Sequence, residues 1–235
     1  MATYMVIFVL VGIATSAVVY LLVIRPWHLK WGATGAEIEA SLPGDDLIPE
    51  PHHVATRSVT IHAHVEDVWP WLAQMGYQRA GLYAYDRLDR LRGTLAGPSA
   101  VWIIPRFQRL RVGDVIPMGS RPGWRVEGLE PNRFLLVHVQ GPGIEYTRAW
   151  ELNELDESHT RLVLRIRSRL TRPLPLPLFH LADAGSFLMT RKHLLGIKQR
   201  AEIGAWQTEE WLSSGLREAS LLPSVSFDRQ RRTTL

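Results

Sequence analysis

The stretch from Tyr4 to Ile24 (YMVIFVLVGIATSAVVYLLVI) constrains this chain more than any other. It carries no charge, and only Thr15 and Ser16 interrupt it as small polar residues. As a helix it is roughly 31 Å long, about the thickness of a bilayer's hydrocarbon core. Arg25, Pro26, Trp27, His28, Lys30 and Trp31 follow immediately, the basic and aromatic collar expected where a helix leaves a membrane. Residues 1–31 are therefore read as a transmembrane anchor with its interfacial collar. Arg25 and Lys30 lie only on the C-terminal side, so the positive-inside rule predicts a single pass in the cell membrane with the body of the protein in the cytoplasm.

Two other readings of this run compete with an anchor. A secretory leader has a basic start, a shorter apolar core and a small-residue cleavage site, whereas here no Lys or Arg precedes the run and Arg25-Pro26-Trp27 closes it. A buried core helix rarely continues so long without a polar face. Both fit less well than an anchor.

The remaining residues suffice for one domain with a full core. The chain has no Cys, which excludes disulfides, thiolate metal sites and Cys nucleophiles together. Net charge is +4, and the basic residues are 24 Arg against three Lys, a skew ascribed to genome composition rather than to nucleic-acid binding. Arg161, Arg165, Arg167, Arg169 and Arg172 cluster without an acid between them. On an alternating strand Arg165, Arg167 and Arg169 share one face and Leu164 and Ile166 the other. That stripe reads as a solvated outer face, or one resting on anionic headgroups.

Residues 32–53 contain turn formers around Leu42-Pro43-Gly44-Asp45-Asp46 and read as a linker, with Asp45 and Asp46 solvated. Val54–Ile61 alternates as a strand. Val65–Met75 has helical spacing, with Pro70 expected to kink or shorten it. A short helix over 83–91 follows. From Ala100 to Leu170 the pattern turns to strands joined by short turns such as Glu130-Pro131-Asn132-Arg133 and Asp156-Glu157-Ser158-His159, an antiparallel meander. Leu178–Ser213 is a long helical pattern, with Leu181, Leu188, Leu195, Glu202 and Trp206 placed on one side. Residues 54–213 thus form one domain, and 214–235 read as a disordered basic tail.

This order predicts an α+β fold: a curved antiparallel sheet of about six to seven strands wrapped around the C-terminal helix, preceded by the transmembrane helix. The chain resembles the SRPBCC proteins, the START and polyketide-cyclase-like helix-grip superfamily, and specifically bacterial members with a membrane leader. The resemblance rests on Arg25-Pro-Trp-His-Leu-Lys-Trp-Gly-Ala33, Leu42-Pro-Gly-Asp-Asp-Leu47, Val68-Trp-Pro-Trp-Leu72 with Gln74-Met-Gly76, Leu110-Arg-Val-Gly-Asp114, and Leu194-Leu-Gly-Ile-Lys198 with Arg200-Ala-Glu202. It covers about residues 25 to 210. It implies an internal cavity without choosing an activity, because the superfamily includes lipid carriers, receptors, cyclases and oxygenase domains.

No nucleophile elbow, P-loop or dinucleotide fingerprint is present. His52-His53 and His62-x-His64 lack an accompanying carboxylate at ligand spacing, so no metal and no cofactor are expected. His138 lies within an apolar strand pattern and reads as a satisfied polar contact, with a role as a base as the alternative. Tyr83, Tyr85 and Asp86 are candidates for reaching a ligand. The expected cavity lining is Trp69, Tyr83, Tyr85, Trp102, Trp124, His138, Trp150, Gly185, Leu188 and Met189, with plain packing as the competing role for each. The leading expectation is a membrane-tethered module that binds a hydrophobic or amphipathic small molecule or lipid without catalysis. The alternatives are a cyclase/aromatase-like enzyme on a hydrophobic substrate and a scaffold whose cavity is filled by its own nine Trp. No nucleic-acid partner is expected, and the oligomeric state stays open.

Overall fold

In a computed structural model, residues 1–221 are described, without the side chains of residues 2, 176, 177 and 205–221. The apolar N-terminal run is one continuous rod. It consists of α1 (Ala2–Val19), a π-helical turn (Tyr20–Ile24) and α2 (Arg25–Leu29). Its stretch from Thr3 to Leu29 is long and apolar enough to cross a membrane, and none of its apolar window is buried in the domain.

A short helix, α3 (Gly35–Glu39), follows. It is started by a capping box in which Thr34 Oγ1 accepts from Glu37 N and Glu37 Oε2 accepts from Thr34 N, which satisfies two otherwise unpaired donors. Then come β1 (His53–Ile61), α4 (Val65–Ala73) and α5 (Asp86–Leu91). Pro70 sits inside α4, and the helix stops one turn later, as the missing N–H predicts. The remaining strands are β2 (Val115–Met118), β3 (Arg121–Glu130), β4 (Phe134–Gly141), β5 (Ile144–Asp156) and β6 (His159–Leu170). They form one antiparallel sheet in the order β1-β6-β5-β4-β3-β2. Asn132 and Gly143 take left-handed φ values of 64° and 88° at the two turns that flank β4, which Asn and Gly tolerate best.

The last element, α6 (Leu176–Leu221), lies across the concave face of this curved sheet. It runs past Ser213, where the sequence pattern weakened, and residues 222–235, most of the expected basic tail, lie outside the described residues. Asp183, Phe187, Thr190, His193, Leu194, Ile197 and Ala201 are its buried side chains, a stripe at spacings of three and four with His193 beside Leu194. Leu181 and Leu188 point to solvent instead, so the side of α6 that faces the sheet is not the one the leucine spacing suggested. Gly196 is the point of closest approach. A side chain there would run into the carbonyl of Tyr83.

The arginine stripe is not a solvated face. Residues 32–49 lie over it, with Leu42 and Ile48 buried. Arg165 donates to the carbonyls of Glu37, Ile38 and Ala40, to Thr56 Oγ1 and to Asp45 Oδ2 at 2.7 Å. Arg161 pairs with Glu37 and reaches the Gly32 carbonyl, while Arg167 donates to the carbonyls of Ile48 and Pro49. Burial alone would raise the Glu37 carboxyl, but Arg161 and the Thr34 amide outweigh it and hold it at about 2. The segment read as a linker is therefore fastened to the sheet by guanidinium–carbonyl and guanidinium–carboxylate bonds, and Asp45 is an ion-pair partner rather than a solvated turn acid.

The collar is fastened as well. Arg57 Nε, on β1, donates to the His28 carbonyl at 2.9 Å, and Ser58 N donates to the Trp31 carbonyl at 3.1 Å. Phe187 of α6 packs against Trp27, His28 and Trp31 with ring centroids 5.4, 5.2 and 6.4 Å away.

Candidate functional site

Strand alternation decides what faces α6. On β5 the inward residues are Tyr146, Arg148, Trp150 and Leu152, and on β3 Trp124 and Val126. Trp150 is fully buried, lies 5.6 Å from Trp124, and donates from Nε1 to His193 Nε2 at 3.1 Å. Since indole N–H can only donate, Nε2 accepts, and His193 Nδ1 carries the proton it donates to the Leu82 carbonyl at 2.6 Å. Burial pushes His193 down to about 4, so both ring nitrogens are spent and the ring is neutral.

Beyond this plug the sheet and α6 separate and leave a hollow of about 290 Å³. Its walls come from β3 and β5 (Trp124, Tyr146, Arg148), from α5 and its flanks (Leu82, Asp89, Arg92, Thr94), and from α6 (Gly185, Met189, Thr190). A second hollow of about 270 Å³, lined by His53, Ile166, Leu174, Phe179 and Asp183 among others, shares Arg121, Tyr146, Arg148, Ala182 and Ser186 with the first. The two are adjoining lobes that share this wall, with Tyr146 and Arg148 between them.

The lining is less apolar than the tryptophan content suggested. Arg148 lies over Trp124 and Tyr146, at 5.0 and 5.8 Å from the ring centroids, and its Nε is buried without a partner. Burial lowers its pKa. Asp89 accepts from Thr94 Oγ1 at 3.1 Å through Oδ1, while Oδ2 is buried and unpaired, and burial raises the carboxyl. Thr190 Oγ1 is also buried and unpaired. Such atoms are costly unless something supplies the missing bonds.

Of the expected lining residues, Trp124, Gly185 and Met189 border the first lobe. Trp150, Trp69 and Tyr83 are core, and the Tyr83 hydroxyl donates to the Trp71 carbonyl at 3.1 Å. Tyr85, Trp102 and Leu188 are 44%, 66% and 56% exposed and line neither lobe. The short helix begins only at Asp86, which leaves Tyr85 outside it; Trp102 lies in the loop that Gln74 anchors through its carbonyl; and Leu188 is on the outer side of α6. His138 alternates to the outer face between Val137 and Val139 and bonds Glu145 at 3.0 Å, as a satisfied contact. Asp86 holds the loop at Ser99 through both carboxylate oxygens.

Asp89, Arg148, Thr190 and His193 were not anticipated. Arg148 had a readable signal, because alternation aligns it with Tyr146, Trp150 and Leu152 on an otherwise apolar face. No cluster of three or more metal-ligating side chains occurs among the described residues.

No family model matches the sequence, and no curated protein matches it. The chain has the helix-grip fold. Solved structures with a similar arrangement include a START superfamily protein from Mycobacterium smegmatis, with 13% identity, 66% of this chain and 99% of that one covered, and a TM-score of 0.37. An aromatase/cyclase from Streptomyces sp. R1128 has 15% identity over 64% and 93% of the two chains, with a TM-score of 0.36. A conserved protein from Geobacillus kaustophilus has 13% identity over 63% and 95%, with a TM-score of 0.37. Likeness at this level transfers no residue role.

Proposed function

We propose that this protein binds an amphipathic small molecule in the hollow beneath α6, beside a membrane in which its N-terminal helix is anchored. The observation that carries the reading is the pair of adjoining lobes, the first with three buried polar atoms on its walls that lack a hydrogen bond, Arg148 Nε, Asp89 Oδ2 and Thr190 Oγ1. Each lobe is near the roughly 300 Å³ lower bound of small-molecule sites, and together they accommodate an elongated ligand. Affinity would come from burying apolar surface at roughly 25 cal/mol per Å², with the polar atoms fixing orientation. A scaffold filled by its own tryptophans is disfavoured, because Trp150 plugs only one end. A cyclase-like enzyme is disfavoured because both nitrogens of His193, the one imidazole that lines the first lobe, are already engaged and cannot move a proton.

The membrane part rests on the exposed apolar helix and the Arg25 and Lys30 flank, which favours a cytoplasmic domain. Arg25 also connects the helix to the cavity wall: its Nε lies 3.3 Å from Asp183, whose other oxygen is 3.4 Å from His53. Asp183 and His53 both line the second lobe, so the helix end and the cavity share one polar cluster.

Gly185 provides the test. Gly185 is exposed at the rim of the first lobe and a Cβ built there meets nothing within 4 Å, so Gly185→Leu adds bulk at the cavity mouth from open space. The variant should melt no lower than wild type, since Leu is favoured over Gly in a helix by roughly 1 kcal/mol. It should lose at least tenfold in affinity for a fluorescent fatty-acid-like probe. Equal probe binding by both proteins would overturn this placement of the site.

A further inference from the structure

The first lobe is lined by three arginines, Arg92, Arg121 and Arg148, against a single carboxylate, Asp89. Among the described residues none of the three forms an ion pair within 4 Å in this structure; the arginines that do are 25, 125, 133, 161, 165, 167 and 169. Arg148 and Arg92 act on one another as like charges, and Asp89, the one carboxylate of the lobe, has its Oδ1 on Thr94. A guanidinium held on two aromatic rings with a buried, unpartnered Nε is expensive to leave unpaired. Contact with the Trp124 and Tyr146 faces offsets part of that cost but gives Nε no acceptor.

The donors and acceptors of the lobe also have a polarity. Arg148 Nε is donor-only and Thr190 Oγ1 can donate, against one unpaired carboxylate oxygen, Asp89 Oδ2. His193 is neutral with both nitrogens engaged, and the Tyr146 hydroxyl already accepts from Trp124 Nε1 at 3.1 Å. What is left over is an excess of donors and of positive charge, three guanidiniums against one carboxylate, that an anionic acceptor would complete. Asp183, the acid of the neighbouring lobe, does not supply it, because its oxygens face Arg25 at 3.3 Å and His53 at 3.4 Å.

We infer that the ligand of this hollow is an acid, an amphiphile whose carboxylate sits against Arg148 in the first lobe. This rests on the binding reading above and adds the chemical class. The planar guanidinium matches a carboxylate in shape, and a charged hydrogen bond in a water-poor site is about twice as strong as a neutral one. The apolar part of the ligand then extends along Trp124 and Met189, or past Tyr146 toward Ile166 and Phe179.

Titration of the detergent-solubilised full chain with decanoate and with decanol, followed by tryptophan fluorescence, separates this inference from the reading beneath it. The expected result is saturable binding of both, with decanoate at least tenfold tighter. In Arg148→Met that preference should collapse to within threefold while decanol binding is retained. In Arg148→Lys, which keeps the charge without the planar fork, part of the preference should return. Saturable binding of both molecules with equal affinity by wild type overturns the acid assignment and leaves the binding reading intact. Binding of neither overturns both. Should Arg148→Met fail to fold, the wild-type acid-to-alcohol ratio decides alone.

Discussion

Replacing Arg165 by Ala is expected to destabilise the domain far more than a surface arginine should. The side chain is 4% exposed and donates to three carbonyls, one hydroxyl and the Asp45 carboxylate. Removing one partner of a buried ion pair costs about 3–5 kcal/mol, because the other charge stays behind without compensation. Asp45 is 19% exposed, so water re-solvates part of it and the lower end of that range applies. For a domain of this size each kcal/mol shifts Tm by roughly 2–4 °C, which gives a fall of about 6–12 °C for a 3 kcal/mol loss. The assay is thermal melting of full-length protein in mild detergent, followed by near-ultraviolet circular dichroism. Arg169→Ala is the matched control. It is on the same stripe, but its side chain is 45% exposed and its pair with Glu145 should be worth at most about 1 kcal/mol. If the two variants melted within 2 °C of each other, residues 32–49 would not be clamped as described and the stripe would be a solvated face after all.

Two further expectations follow from the packing. Deleting residues 1–19 should leave a cooperative melt near that of the full chain, whereas deleting 1–31 should lower or abolish it, because Trp27, His28 and Trp31 leave Phe187 bare and Arg57 loses its carbonyl; equal melts for the two truncations would show that the collar contributes nothing to the fold. Stability should also depend on acid through His193, whose folded pKa of about 4 lies below its unfolded value near 6.5. The folded state resists protonation, so stability is full above about pH 6.5 and falls by up to roughly 3 kcal/mol as pH drops toward 4. His193→Gln should flatten the Tm-versus-pH curve in that window, and an unchanged slope would refute the burial argument.

The sheet was legible in the sequence because its strands alternate cleanly and its turns carry Asn, Gly and Asp where backbone geometry asks for them. The long C-terminal helix was legible as a helix but not in its facing. Leu181 and Leu188 dominated the pattern, yet the buried stripe holds Asp183, Thr190 and His193 beside Phe187 and Leu194. An apolar-face argument fails there because a helix that borders a polar hollow buries polar residues. The same limit hid Asp89, one acid in a short, charged helix whose burial depends on what folds over it. The outer arginines misled for a related reason. Strand periodicity identifies their shared face, but only tertiary structure reveals that a turn-rich segment returns to cover it. Trp102, chosen as a large aromatic, and Tyr85, chosen as a polar group able to reach a ligand, sit on loops whose course depends on the side chains of Gln74 and Asp86.

Native mass spectrometry of the full chain extracted in mild detergent tests the binding claim most directly. The account predicts a species heavier than the polypeptide by one small molecule, with that added mass released on denaturation and absent from Gly185→Leu. The bare polypeptide mass in wild type and variant alike, under conditions that keep the domain folded, would contradict it.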